Sequence, residues 1–219
     1  NQGLREACQH FEKAISLDET LSDAYAYLAL CGFWDLVHFT SEDSKATLEM
    51  MKNRGRKAET LNPENPLALI GLAAHYFFSG DFVNAINHAE KAVNNNPSYA
   101  LSLWWLGLIQ AHGGKFQEAE TVILKALELS PVDPEIERIY GALFCSYLGQ
   151  KKYTAALEAS DKALQYHPNQ GHMIGWRAAA LGHLEAGETA KAAVELYLDM
   201  RPNLKTKDDL RKIFVPTSM

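Results

Sequence analysis

Apolar positions are grouped into helix-length stretches at residues 66–79, 100–112, 135–148 and 171–186. The period-two alternation that would mark half-buried strands is absent over any useful length. Each stretch ends in a glycine-containing or polar break: Ser79-Gly80-Asp81, Gly113-Gly114-Lys115, Gly149-Gln150-Lys151 and Gly187-Glu188-Thr189. An alanine-rich helix follows each break, so the pattern predicts helix, tight turn, helix, turn.

The pattern repeats. Pro63, Pro97, Pro131, Pro168 and Pro202 stand 34, 34, 37 and 34 residues apart. Five positions before them lie Ala58, Ala92, Ala126, Ala163 and Tyr197, and twelve before them Met51, Ala85, Ala119, Ala156 and Ala190. Ala7 and Ala14 keep the same spacing at the start of the chain, with Glu19 in the proline's place. Two short antiparallel helices cannot bury their apolar faces alone, so neighbouring hairpins must stack. Small side chains are needed where the backbones approach. Proline suits the end of each second helix because it cannot continue the helix and its φ is fixed.

These residues resemble the tetratricopeptide repeat family, whose pattern is W-x2-L-G-x2-Y, then A-x3-F-x2-A, then P. The clearest units are Leu69-x2-Leu72-Ala73-x2-Tyr76 with Ala85, Ala89, Ala92 and Pro97, and Leu103-x2-Leu106-Gly107-x2-Gln110 with Ala119, Ile123, Ala126 and Pro131. A third, Tyr140-x2-Leu143-Phe144-x2-Tyr147, has three extra residues before its first helix and Phe144 where the family has glycine. In the last unit, Ile174 or Trp176 can take the first motif position, and burial of tryptophan instead of Arg177 favours Trp176. The resemblance implies an all-α superhelix of five to six helix pairs in one domain. Its parts are a partial repeat at 1–20, an insertion-bearing repeat at 22–63, repeats at 66–97, 100–131, 134–168 and 171–202, and a C-terminal cap at 203–219. The ten extra residues of the early repeat are expected in a loop around Val37–Ser44, with Asp43 or Ser44 capping the next helix.

First helices in this family line a concave groove. Carried over, the groove-facing residues include Phe33 and Trp34, Ile70, Phe77 and Phe78, and Trp104, Leu108 and His112. That wall is apolar, lacking the Lys, Arg and Asn with which some family members clamp an acidic peptide terminus. The resemblance therefore implies capture of an apolar peptide or amphipathic helix, with Trp104 and Phe77 as anchors. A second copy of the chain is the alternative occupant, and packing between repeats is the competing role for each aromatic. More distantly, Arg201-Pro202-x-Leu204 and Asp209-Leu210-Arg211-Lys212-x-Phe214, together with the long insertion before residues 57–63, resemble repeat regions ending bacterial class III adenylate cyclases and winged-helix regulators. That resemblance implies a larger bacterial signalling or transcriptional protein.

Composition narrows the chemistry. The 219 residues are 47% hydrophobic and 22% charged, which suits a folded chain. Lys+Arg total 21 against Asp+Glu 27, a net charge of −6 that disfavours nucleic acid as a partner. Cys8, Cys31 and Cys145 form no C-x-x-C pair and read as small buried hydrophobes of a reducing, cytoplasmic setting. No apolar run is long enough to span a membrane. Among the eight histidines, His167, His172 and His183 cluster in sequence but lack metal-ligand spacing. Gly113-Gly114-Lys115 lacks the rest of a phosphate loop, and Glu118/Glu120 and Glu135/Glu137 diverge on a helix. No catalytic, cofactor or metal site is expected, and the reading is non-enzymatic.

Overall fold

A computed structural model describes residues 2–37, 41–169 and 171–200. Eleven helices and no strand occur among them. They are α1 (Gln2–Leu17), α2 (Ser22–Val37), α3 (Ser44–Leu61), α4 (Pro66–Phe78), α5 (Phe82–Asn95), α6 (Ala100–His112), α7 (Phe116–Leu129), α8 (Ile136–Gly149), α9 (Tyr153–Tyr166), α10 (Gly171–His183) and α11 (Gly187–Asp199). They group into two compact units, residues 1–105 and 106–219, divided within α6. In the first unit α2 packs on α1, α3 and α4, and α4 on α3 and α5. In the second, α8 packs on α7 and α9, and α10 on α9 and α11. The expected cap at 203–219, like residues 201–214 of the weaker resemblance, lies outside the described residues.

The recurring alanines sit where the repeat logic requires. Ala58, Ala85, Ala92, Ala119, Ala126, Ala156 and Ala163 are all 0% exposed, so no larger side chain fits without displacing a neighbour. Gly107 shows the limit of this approach: a methyl group there would meet Ile123 Cγ1 at 2.3 Å. At Phe144 the bulk has changed sides. The residue corresponding to Ile123 is Ser160, fully buried on α9, while Phe144 is buried on α8 and stacks on Trp176 at 5.2 Å.

The extra residues of the early repeat are not confined to a loop. Relative to α4 and α5, three lengthen α2, three lie in the connection and four lengthen α3. Asp43 caps α3 by accepting from the Lys45 and Ala46 amides at 2.9 and 3.0 Å. Asn65, itself buried, caps α4 by accepting from Leu67 N. Its amide nitrogen donates to Ser22 Oγ at 2.8 Å and to Asp23 Oδ1 at 2.6 Å, tying the starts of α2 and α4 together.

Two sequence expectations need correction. The last repeat begins at Gly171, which puts Ile174 in the first motif position; Ile174 is buried, Trp176 is half-buried, and Arg177 reaches Asp161 Oδ1 on α9 at 2.6 Å. The ion pair lets Arg177 occupy a position that burial alone would deny it. Gly149 and Gly187 are also not the turn residues. Gly149 ends α8, where Phe116 packs against it, and Gly187, with a φ of 49°, opens α11 just after the three-residue turn.

In the hairpins α4–α5, α6–α7, α8–α9 and α10–α11 the middle residue of a three-residue turn is left-handed: Gly80 (φ 75°), Gly114 (82°), Lys151 (61°) and Glu185 (54°). Each turn closes with the same pair of bonds, as in Gly80 N to Phe77 O and Asp81 N to Tyr76 O. A side chain with Cβ is strained in this conformation by roughly 1–2 kcal/mol. Lys151→Gly is therefore expected to stabilise the fold by about 1 kcal/mol, read as a higher urea midpoint at unchanged m-value.

His75 on α4 donates from Nδ1 to Leu48 O of α3 at 2.9 Å, which fixes the neutral tautomer. Burial pushes its pKa below the ordinary 6.5, and nearby Lys52 and Arg56 add to the shift despite the Leu48 bond. The unfolded chain then takes up a proton that the folded chain refuses. Stability is expected to be flat above pH 6.5 and to fall as pH drops below it, with the loss reduced in His75→Gln. Denaturant midpoints across the pH range check this.

Candidate partner-binding site

Six of the eight residues expected to line the groove belong to the first unit, and Leu108 and His112 belong to the second. Phe33 and Trp34 occupy corresponding positions in α2 to those of Phe77 and Phe78 in α4, because both helices start the motif at their fourth residue. Phe33 is the hub. Its ring lies 4.6 Å from Trp34, 5.5 Å from Phe78 and 4.5 Å from Trp105, all in edge-to-face geometry. The network continues from Phe78 to Phe77 at 5.4 Å, from Phe77 to Phe82 at 5.8 Å, and from Trp105 to Trp104 at 5.1 Å. Such edge-to-face pairs add about 0.5–1.5 kcal/mol each beyond the area they bury.

The rings divide by exposure. Phe33, Phe77, Trp104 and Trp105 are buried, and Ile70 is fully enclosed. Trp34, Phe78 and Phe82 are half-buried and present the accessible part of the cluster. Trp104 and Phe77, the expected anchors, are 6% and 7% exposed and therefore form its floor. In the second unit Leu108 is half-buried, and the exposed His112 donates from Nδ1 to Leu108 O at 2.9 Å on its own helix. Sequence reasoning missed Trp105 and Phe82. Adjacent tryptophans on a helix point about 100° apart, so the doublet itself signalled that one indole faces inward without saying which; here both are covered.

The ionisable groups of the second unit lie in separate places. His167 approaches buried Glu137 at 3.3 Å, His183 stacks on Tyr153 at 4.3 Å, and His172 meets the edge of Trp176 at 5.3 Å. Burial raises the Glu120 carboxyl, but bonds from Lys152 at 2.8 Å and Gln150 at 2.7 Å outweigh it and hold the group below its usual range. Among the described residues no three His, Cys, Asp or Glu converge as a metal site, and no helix is long and apolar enough to cross a membrane. All three cysteines are free thiols; burial raises each, Cys145 to about 12, which suppresses thiolate chemistry.

Helical hairpins joined at alanine contacts, four of them closed by the same left-handed turn, define the α-solenoid class. A family model described as tetratricopeptide repeat matches residues 70–134 and 142–204, and the chain belongs to that family. Protein CTR9 homolog of Arabidopsis thaliana is 26% identical over 93% of this chain, which spans 18% of that protein's length. Among solved structures, PilF of Pseudomonas aeruginosa is similar over 90% of this chain and 85% of its own, with 23% identity and a TM-score of 0.70. The APC/C hetero-tetramer Cut9–Hcn1 gives 19% identity and a TM-score of 0.79, covering 96% of this chain and 39% of that one. YrrB, described as having an unusual peptide-binding site, gives 17% identity and a TM-score of 0.55, covering 88% and 93%.

The burial division predicts two different costs. Trp104→Ala is expected to destabilise the fold by about 3–5 kcal/mol, as deletion of a buried indole does. Trp34→Ala is expected to cost less than half of that. Urea unfolding of both variants measures the difference.

Proposed function

We propose that this chain, whose tetratricopeptide repeats make it a protein-interaction module, takes an apolar peptide or the apolar face of an amphipathic helix against the aromatic cluster of its first unit, without catalysing a reaction. One observation carries the reading: Trp34 and Phe78 are accessible while buried Phe33 and Phe77 meet them in edge-to-face contacts, with Trp105 behind Phe33. A supported aromatic surface loses little entropy when a partner arrives, so most of the buried area contributes to affinity. Micromolar binding, about −8 kcal/mol, is the expected scale. A scaffold segment is the setting that the tetratricopeptide repeats favour. A bacterial signalling or transcriptional regulator is the alternative setting, and it rests on residues 201–214 and the insertion of the early repeat.

Panning a phage library of amphipathic helical peptides tests the proposal. Enriched peptides should carry Leu, Phe or Trp at i, i+3, i+4 and i+7. They should lose about tenfold or more in affinity against Trp34→Ala/Phe78→Ala at unchanged circular dichroism. Binders indifferent to that double variant, or light scattering that shows the aromatic surface closed within a dimer, would overturn it.

A further inference from the structure

Charge along the second helices of the repeats is uneven. α7, α9 and α11 each carry more acidic than basic residues, and α5 balances Glu90 with Lys91. α3 instead carries Lys45, Lys52, Arg54, Arg56 and Lys57 against Glu49 and Glu59, in a chain of net charge −6. Four of these cations fall within residues 52–57 with no acid among them. Lys52 and Arg56 are four residues apart, and Arg54 and Lys57 three apart, spacings at which like charges destabilise a helix. None lies in the last turn, where the helix dipole would favour a cation. Lys52 pairs with Glu49 at 3.8 Å, whereas Arg54, Arg56 and Lys57 make no ion pair among the described residues.

Two of the free cations are held in place. The Arg54 guanidinium lies 5.7 Å, and the Lys57 ammonium 5.9 Å, from the centre of the Tyr25 ring on α2. Arg56 and Lys57 are exposed and Arg54 is half-exposed. From this ridge we infer a second interaction surface, on the outer face of α3, whose partner is an acidic polypeptide segment. Anionic side chains there would relieve the repulsion that the folded chain otherwise sustains. Nucleic acid fits less well: Tyr25, the aromatic ring beneath the cations, is buried and offers no face for base stacking, and a longer polyanion would meet the acidic remainder of the chain.

Fluorescence anisotropy with a fluorescein-labelled peptide of alternating Glu and Ala, on the full chain, tests this. The peptide should bind at about 0.05 M salt and release at about 0.5 M, where exposed charges are screened. Exposed charge pairs shift affinity a few-fold each, so Arg54→Gln/Arg56→Gln/Lys57→Gln should weaken binding by about tenfold. If the triple variant loses helical signal, Arg56→Gln/Lys57→Gln, confined to exposed positions, should still weaken binding a few-fold. Unchanged binding by the folded variant, or tighter binding of a labelled DNA duplex than of the peptide, would overturn the inference.

Discussion

Everything in this fold depends on how closely two helices of a hairpin approach at alanine. Because Ala85, Ala92, Ala119 and Ala126 are wholly enclosed, the backbone separation is set by a methyl group. Larger residues are then free to be used elsewhere: Ile123 fills the space left by Gly107, and Trp105 and Phe33 meet across α2 and α6. Enlarging the contact would force the helices apart and leave the aromatic cluster without its floor. The aromatic surface is thus a by-product of small residues placed elsewhere in the hairpins.

The same economy governs the turns. A three-residue connection with one left-handed residue returns the chain antiparallel and satisfies the last carbonyls of the preceding helix through two backbone bonds. The geometry is identical whether that residue is Gly80, Gly114, Lys151 or Glu185. Backbone hydrogen bonding and packing determine the turn, and residue preference only modulates its cost. This is why a reading that started from glycine placed the third turn one residue early and the fourth three residues late.

The fold was legible because repetition averages out local ambiguity: five prolines and two columns of alanine specify hairpins more firmly than any one segment does. The site was less legible. Motif position places Phe33, Trp34, Phe77 and Phe78 at the ends of their helices, but whether a ring becomes floor or surface depends on what the next helix supplies. Trp105 and Phe82 are such suppliers, and their contacts are not encoded in spacing. The register of the last repeat failed for a related reason, since Arg177 is tolerated by Asp161 sixteen residues earlier, a pairing that burial preference cannot anticipate.

The lengthening of the early hairpin has a geometric corollary. Adding three residues to the end of one helix and four to the start of its mate extends each by about one full revolution. Azimuth is thereby conserved, and Met51 and Ala58 remain enclosed as though nothing had been inserted. A hairpin lengthened at this end leaves the joint at Met51 and Ala58 undisturbed, so its length and the integrity of the stack can be varied separately.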